Sequence, residues 1–501
     1  MVATALEQAP KTWDAPIKQQ RFNWVSCPVQ SVYKSGLRLD ASVFAIEAQN
    51  SKLLITQCKY GAIPLAELID ECTYPDRFKR AYVSKRHGEK FYLPSQLNDL
   101  APSANKFLAI KNIKDLDALR IKENTLLVTR SGTIGNCTIA SKTLVGGIFS
   151  DDVIRITPKQ THNLGYIYIY LKSRSGRTIL QSENYGAVIQ HVEPAHLIKL
   201  PIPNAPAILK THIHHTVTES FNLRDQSNAL IEQARAILQN ALKLPAVDEL
   251  IPPADSNNNG LRCFSVNVAV LNHRLEANYH NPLARAITQH LYKHAAQVLT
   301  LGDNTLTGQF VLPGRFKRVY VDKGHGVIFF SGKDIGELDP NDKKYLSFSQ
   351  HDKKIKDELT IKQNMLLITC SGTLGNVALV PKHWDGWTMT HDIVRLIPSS
   401  NEISGYLFAW LSSSWGKELI NRNRYGAVVQ YLEIEHLATI PIPLLSDVAI
   451  MREINDLVLR ANELRFAAFT KEQEALRLFD EEVLGIPTSQ KKRDTALTQT
   501  V

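Results

Sequence analysis

The chain has 501 residues, with 58 Lys and Arg against 49 Asp and Glu and a formal charge of +9. The length predicts about three domains, and a 44% share of hydrophobic residues excludes a disordered chain. No apolar run approaches the ~20 residues of a membrane span, and the first residues show no signal-peptide pattern. Six scattered cysteines (Cys27, Cys58, Cys72, Cys137, Cys263 and Cys370) form no Cys-x-x-Cys pair, which argues against a disulfide scaffold or zinc ribbon and fits a reducing cytoplasm.

Taken in chain order, an N-terminal segment (1–24) carries no pattern and is expected to be loosely held. PDRFKRAYV (75–83) alternates, which predicts a strand with Arg77, Lys79 and Ala81 on one face and Phe78, Arg80 and Tyr82 on the other. Lys85, Arg86 and Lys90 add charge. LLVT (126–129) is a short strand ending at Ser-Gly-Thr-Ile-Gly. Two glycines three apart predict a tight turn and a returning strand, a hairpin that places Ser131 and Thr133 at a surface. VIRI (153–156) is a further strand and GYIYIYLKS (165–173) an aromatic-rich helix. Glu-x-x-His-Leu (193–197) reads as one helical turn, and the Pro-rich terminator after it ends the domain in extended chain.

The hydrophobic period then changes from 2 to 3.6. Leu230, Ile231, Ala234, Ile237, Leu238, Ala241 and Leu242 form one apolar stripe, which predicts an amphipathic helix over 206–243. A Pro/Asn/Gly linker (245–262) follows. After it the series recurs and ends in a second long helix over 446–484, with a polar tail (486–501) expected to be disordered. At about 37 residues each helix would run roughly 55 Å. Two narrow stripes of that length predict antiparallel packing of one helix on the other.

The recurrence is an internal duplication. Residues 121–203 align with 361–443 without a gap at 32 identities in 83 positions, where unrelated segments would share roughly 5. IKENTLLVTRSGTIGN matches IKQNMLLITCSGTLGN, and NYGAVIQHVEPAHLIKLPIP matches RYGAVVQYLEIEHLATIPIP. RFKR recurs as Arg315, Lys317 and Arg318, and the second hairpin carries Ser371 and Thr373. Cations interleaved with aromatics suit phosphate contact, although a solvated strand with buried Phe and Tyr reads the same way. The repeated Glu193/His196 and Glu433/His436 have di-iron spacing but no further carboxylates, so helix starts are favoured. His212, His214 and His215 read as a solvated helix face. The Ser-Gly-Thr loops lack the Lys and following helix of a phosphate-binding loop. No methyltransferase, helicase or nuclease motif is present, so the chain reads as non-catalytic.

Two β-rich domains, each with the strand–Ser-Gly-Thr–x–Gly block (126–135, 366–375), Gly186/Gln190 or Gly426/Gln430 and an Ile-Pro-x-Pro terminator, and each followed by a long helix, resemble the specificity subunit of type I restriction–modification systems. The resemblance covers about residues 25–484. It departs where NAPAILKTH (204–212) and LLSDVAIMR (444–452) replace the Leu-x-x-Gln helix opening of many members. The resemblance implies an α+β architecture of two repeated target-recognition domains (25–203 and 263–443) separated by antiparallel coiled-coil helices (204–244 and 444–485). It also implies a prokaryotic cytoplasmic subunit with no cofactor of its own, reading a bipartite, asymmetric site in double-stranded DNA. Two DNA methyltransferase subunits using S-adenosylmethionine would dock on it, and a restriction or translocase subunit could join for phage defence. The helices would set the two readers apart by about one and a half turns of B-DNA.

Phosphate contacts should be shared by both halves and base contacts should differ. Arg77, Lys79, Arg80, Arg315, Lys317 and Arg318 are therefore phosphate candidates. Arg130 stands opposite Cys370 and Asp151 opposite His391, so Arg130 is a candidate base reader, or else it tops the hairpin. The alternative from another class is a duplicated protein–protein scaffold that reads no DNA.

Overall fold

The computed structural model describes residues 27–250 and 264–487, apart from 35, 103, 105, 112, 114, 187–189, 272 and 273. The N-terminal segment 1–24, the linker from 251 and the tail from 488 lie outside the described residues.

The first half contains β1 (Ala62–Pro64), β2 (Ile69–Thr73), β3 (Tyr82–Val83), β4 (Glu89–Tyr92), β5 (Lys106–Leu108), β6 (Leu126–Thr129), β7 (Cys137–Ile139), β8 (Ile148–Phe149), β9 (Val153–Pro158) and β10 (Pro201–Pro203). The second contains β11 (Gln297–Thr300), β12 (Thr307–Val311), β13 (Tyr320–Val321), β14 (Gly326–Phe330), β15 (Lys344–Ser347), β16 (Leu366–Thr369), β17 (Val377–Leu379), β18 (Thr388–Met389), β19 (Ile393–Pro398) and β20 (Pro441–Leu444). The sheets correspond strand for strand. Order β2-β9-β6-β7 returns as β12-β19-β16-β17, β3-β5-β4-β8 as β13-β15-β14-β18, and β1-β10 as β11-β20. Even the register is kept: Leu126 faces Ile156 across β6 and β9, and Leu366 faces Leu396 across β16 and β19. The expected hairpin returns are present, β6 to β7 and β16 to β17. The Pro-rich terminators form β10 and β20, short two-stranded edges where a missing N–H costs little.

The helices of nine or more residues are α1 (Ile46–Thr56), α2 (Thr161–Lys172), α3 (Arg174–Ser182), α4 (Ala207–Ala241), α5 (Pro282–His294), α6 (Asn401–Leu411), α7 (Ser414–Arg422) and α8 (Val448–Leu478). α2 is buried from Asn163 to Leu171, as expected of a helix apolar on every side. Its Gly165 lets α4 approach: a Cβ there would lie 2.7 Å from the His214 Cα. The Gly165 N–H donates to His214 Nδ1 (3.2 Å), and in the second half the Gly405 N–H donates to Asn455 Oδ1 (2.8 Å). His214 and Asn455 therefore occupy matching positions on α4 and α8.

α4 and α8 are antiparallel. Glu219 pairs with Lys471 (3.0 Å), the Ser220 hydroxyl donates to the Ala468 carbonyl (2.7 Å), and Arg465 Nε donates to the Ser227 hydroxyl (3.1 Å). Each helix ends inside the other half. Ala475, Phe479 and Val483, from α8 and the turn after it, join Tyr166, Tyr170, Ile202 and Ile213 in the first-half core. Ile231, Ala234, Leu238 and Leu242, from α4 and its end, join Tyr406, Trp410, Ile442 and Ile454 in the second. The two halves also touch directly. The Leu100 N–H donates to the Gly336 carbonyl (2.8 Å), Asp99 and Glu337 form an isolated antiparallel bridge, and Arg177 pairs with Asp342 (2.6 Å). Asp99 and Glu337 hold matching positions in the repeat, so the contact sits on a local twofold axis.

One polar cluster lies where α8 enters the first half. Glu472 is buried and receives Lys172 (2.9 Å), Arg224 (2.6 Å) and the Tyr168 hydroxyl. Burial alone would raise the Glu472 pKa; Lys172 and Arg224 beside it outweigh that and hold it below the usual carboxylate range. Removing one member of such a cluster strands buried charge. Glu472→Ala should therefore lower unfolding stability by about 3–5 kcal/mol, measured in urea. In the wild type this contribution is complete above pH 4.5, the carboxyl's ordinary value, and is lost as pH falls below it; an unchanged urea midpoint in the variant would contradict the assignment.

Candidate nucleic-acid interface

In each half four segments converge: the RFKR stretch, the Ser-Gly-Thr hairpin, the loop after β8 or β18, and the Tyr-Gly segment before the Glu-x-x-His turn. In the first half Ser131 Oγ donates to Asp152 (3.0 Å) and lies 2.7 Å from His191 Nδ1. Arg80 reaches Ser150 (2.9 Å) and Asp151. In the second, Ser371 bridges to Tyr431, Arg315 lies 3.5 Å from the Tyr431 hydroxyl, and Arg318 reaches Thr390 and His391, each at 3.2 Å. The hairpins turn through Gly132 and Gly372, at φ of 78° and 74°, a region open to glycine at little cost. Thr133 and Thr373 are exposed at the tips.

The RFKR segments are extended, but only Tyr82–Val83 and Tyr320–Val321 pair as strands. The expected alternation is visible: Arg77 and Lys79 are exposed, while Phe78 and Arg80 are half-buried. Arg80 lies over the Phe91 ring (5.5 Å) and against Asp151, so a carboxylate already engages its charge. Arg318 has the same stacking on Phe329 (5.3 Å). His391 replaces the acid there, and Arg318 stays exposed. The His391 pKa is lowered by burial and by Arg318 and Arg315, against the opposing pull of Asp392, so the imidazole is largely neutral at pH 7. Lys85 and Arg86 are exposed on a single turn after β3, and Lys317 is exposed beside Arg318.

Arg130 is not displayed at the tip of its hairpin. It is 8% exposed, pairs with Glu193 and stacks on Tyr74 at 4.4 Å. The Tyr185 hydroxyl donates to the same carboxylate (2.5 Å). Glu193 is held below its ordinary pKa: its burial is outweighed by the bonds from Arg130, Tyr185 and Tyr74. In the second half Cys370 is buried where Arg130 stands, and Glu433 keeps only the matching tyrosine, Tyr425. Glu193 also starts the short helix Pro194–Leu197, and its N–H donates to His196 Nδ1 (3.1 Å). The Glu-x-x-His pair is thus a capping arrangement. Among the described residues no group of three or more His, Cys, Asp or Glu is placed to hold a metal ion. On α4, His212 and His215 are exposed, while His214 is spent on Gly165.

Of the carboxylates that organise these loops, Glu193 was read from the sequence only as a helix start, Asp151 only as the counterpart of His391, and Asp152 was not picked out. The available signal was the substitution of His391 for Asp151 within an otherwise shared block.

Residues 75–233 match the family model described as type I restriction modification DNA specificity domain. The second half repeats the matched half in sequence and strand order. The first half thus carries a segment similar to the type I restriction modification DNA specificity domain, and the second half is its repeat. The chain is similar to the type I restriction–modification S subunit from M. genitalium, at 15% identity and a TM-score of 0.32, over 87% of this chain and 98% of that one. It is also similar to the HsdS subunit from Thermoanaerobacter tengcongensis, at 13% identity and a TM-score of 0.25, over 85% and 96%. A third structure, titled for complex assembly and conformational transition of the type I R-M system, matches at 14% identity and a TM-score of 0.27, over 84% and 96%. A search of curated proteins finds no match. No helix among the described residues is long and apolar enough to cross a membrane.

Arg130→Met should lower stability by about 1.5–3 kcal/mol, because it leaves Glu193 without its cation. A chain of unchanged melting temperature would instead return Arg130 to the role of a free reader.

Proposed function

We propose that this chain is the non-catalytic specificity component of a type I, or type I-like, methylating defence complex. Each half reads one part of a bipartite, asymmetric DNA site, and the subunit docks methyltransferase partners. The observation that carries this reading is the presence of two copies of one loop cluster, built on superimposable sheets and related by a local twofold, with different chemistry at matching positions. A shared frame suits phosphates, which are alike at every site, and unlike loops suit unlike bases.

Arg77, Lys79, Lys85 and Arg86 in the first half, and Arg315, Lys317 and Arg318 in the second, are the phosphate contacts in this reading. The hairpin tips, Ser131 with Thr133 and Ser371 with Thr373, lie beside them, and His391 with Arg318 offers donors that the first half lacks. Arg80 and Arg130 position loops.

Comparison of methylated sites in cells with and without this protein should reveal one split motif that disappears on deletion; an unchanged pattern leaves only a scaffold role. In vitro, Arg77→Ala or Arg315→Ala should weaken binding to every duplex and reduce the salt slope by about one. Arg318→Ala combined with His391→Ala should relax only one half of the motif, read by binding to duplexes altered in either half.

A further inference from the structure

The local twofold allows the surroundings of α4 and α8 to be compared residue by residue. His214 matches Asn455, so Arg224 matches Arg465 and Ile231 matches Glu472, each 241 positions on. The repeat offset of 240 likewise matches Tyr168 with Phe408 and Lys172 with Ser412. In the first half Arg224, Tyr168 and Lys172 close around the Glu472 carboxylate. In the second half the arginine is kept, and Ile231, Phe408 and Ser412 stand in place of the acid, the hydroxyl and the amine.

No carboxylate pairs with Arg465 among the described residues. Burial and the neighbouring Arg235 push its pKa down, to about 10, and its Nε donates only to a neutral hydroxyl, that of Ser227. Arg465, Ile231, Phe408 and Ser412 all line one cleft of about 750 Å³ between the halves, together with Arg235 and Lys417. Lys417 is also lowered, by burial and by Arg235. Lys106 and Lys333 lie on the wall as well. Three acids face the cleft: Glu232, which is tied to Arg235 (2.6 Å); Asp392, which lies beside His391 (3.4 Å); and Asp99, which is at the contact between halves. Three partly desolvated cations thus line one cleft, and one of them, Arg465, lacks the carboxylate that its counterpart Arg224 has. Like charges taken out of water raise each other's cost unless an anion is added.

We propose that this cleft is an anion site, taking a small free oxyanion, carboxylate or phosphate, bound against the wall where Ile231 replaces the first half's Glu472. Arg465 from α8, Arg235 from α4 and Lys417 from α7 hold it, so the occupant ties both long helices to the second half. Guanidinium groups with an ammonium beside them match this ligand in charge and geometry.

The test is titration calorimetry and thermal unfolding of the whole chain with citrate and with inorganic phosphate, at ionic strength fixed by chloride. Saturable binding of one ion per chain is expected from at least one probe, with a rise in unfolding temperature beyond the chloride control. Arg465→Met and Lys417→Met should each weaken binding about tenfold or more. Ile231→Glu supplies an internal carboxylate and should fold at least as stably while losing the response to added anion. If that variant fails to fold, the two methionine variants still decide. No response in the wild type, or an undiminished response in Arg465→Met, overturns the proposal. Anion affinity should be unchanged by a bound duplex; complete displacement by DNA would instead make the occupant a backbone phosphate and overturn the free-anion reading.

Discussion

A single buried carboxylate, supplied by the end of one half to the core of the other, organises the molecule. Glu472 on α8 draws together Lys172 from α2 and Arg224 from α4, and its satisfaction fixes the register in which the two long helices lie. Sliding by one turn, about 5.4 Å, would leave three charges buried apart. Phe479 and Val483 beyond it can then fill the first-half core only at one depth. The apolar seam supplies attraction, which is tolerant of register; the charge cluster makes that register unique.

From that register follows the placement of both loop clusters. Each sheet packs on its own buried aromatic helix, α2 or α6, and each of those helices packs on α4 and α8. The geometry is close to twofold while the chemistry is not. Asp151 with Arg80 becomes His391 with Arg318, Arg130 with Glu193 becomes Cys370 with Glu433, and Glu472 with Arg224 becomes Ile231 with Arg465. A frame held constant by backbone pairing and apolar packing leaves the exposed positions free to diverge.

The duplication, the strands of the shared blocks, the aromatic helices and both long helices were legible in the sequence, because local periodicity and self-similarity encode them directly. The helices fall at Ala207–Ala241 and Val448–Leu478, within the spans expected. The small sheet β3-β5-β4-β8 was not legible: its strands are two to four residues long and lie in the part where the halves have diverged. At the interface, the exposed side of RFKR was legible from alternation alone. The engagement of Arg80 and Arg130 was not, since Asp151 and Glu193 lie 71 and 63 positions away in sequence. Periodicity shows which face a side chain takes, but not which partner waits there.

The exchange of helix ends has a consequence for synthesis on the ribosome. Tyr168 and Glu472 are separated by 304 positions. At about 5–20 residues per second the first half waits roughly 15–60 s for the segment that closes its core. During that time Tyr166, Tyr170 and Ile213 lack Phe479, and Lys172 and Arg224 lack their acid. A chain interrupted anywhere before α8 therefore keeps its first core open and exposed to proteases. Completion of translation and completion of the first half's core become one event.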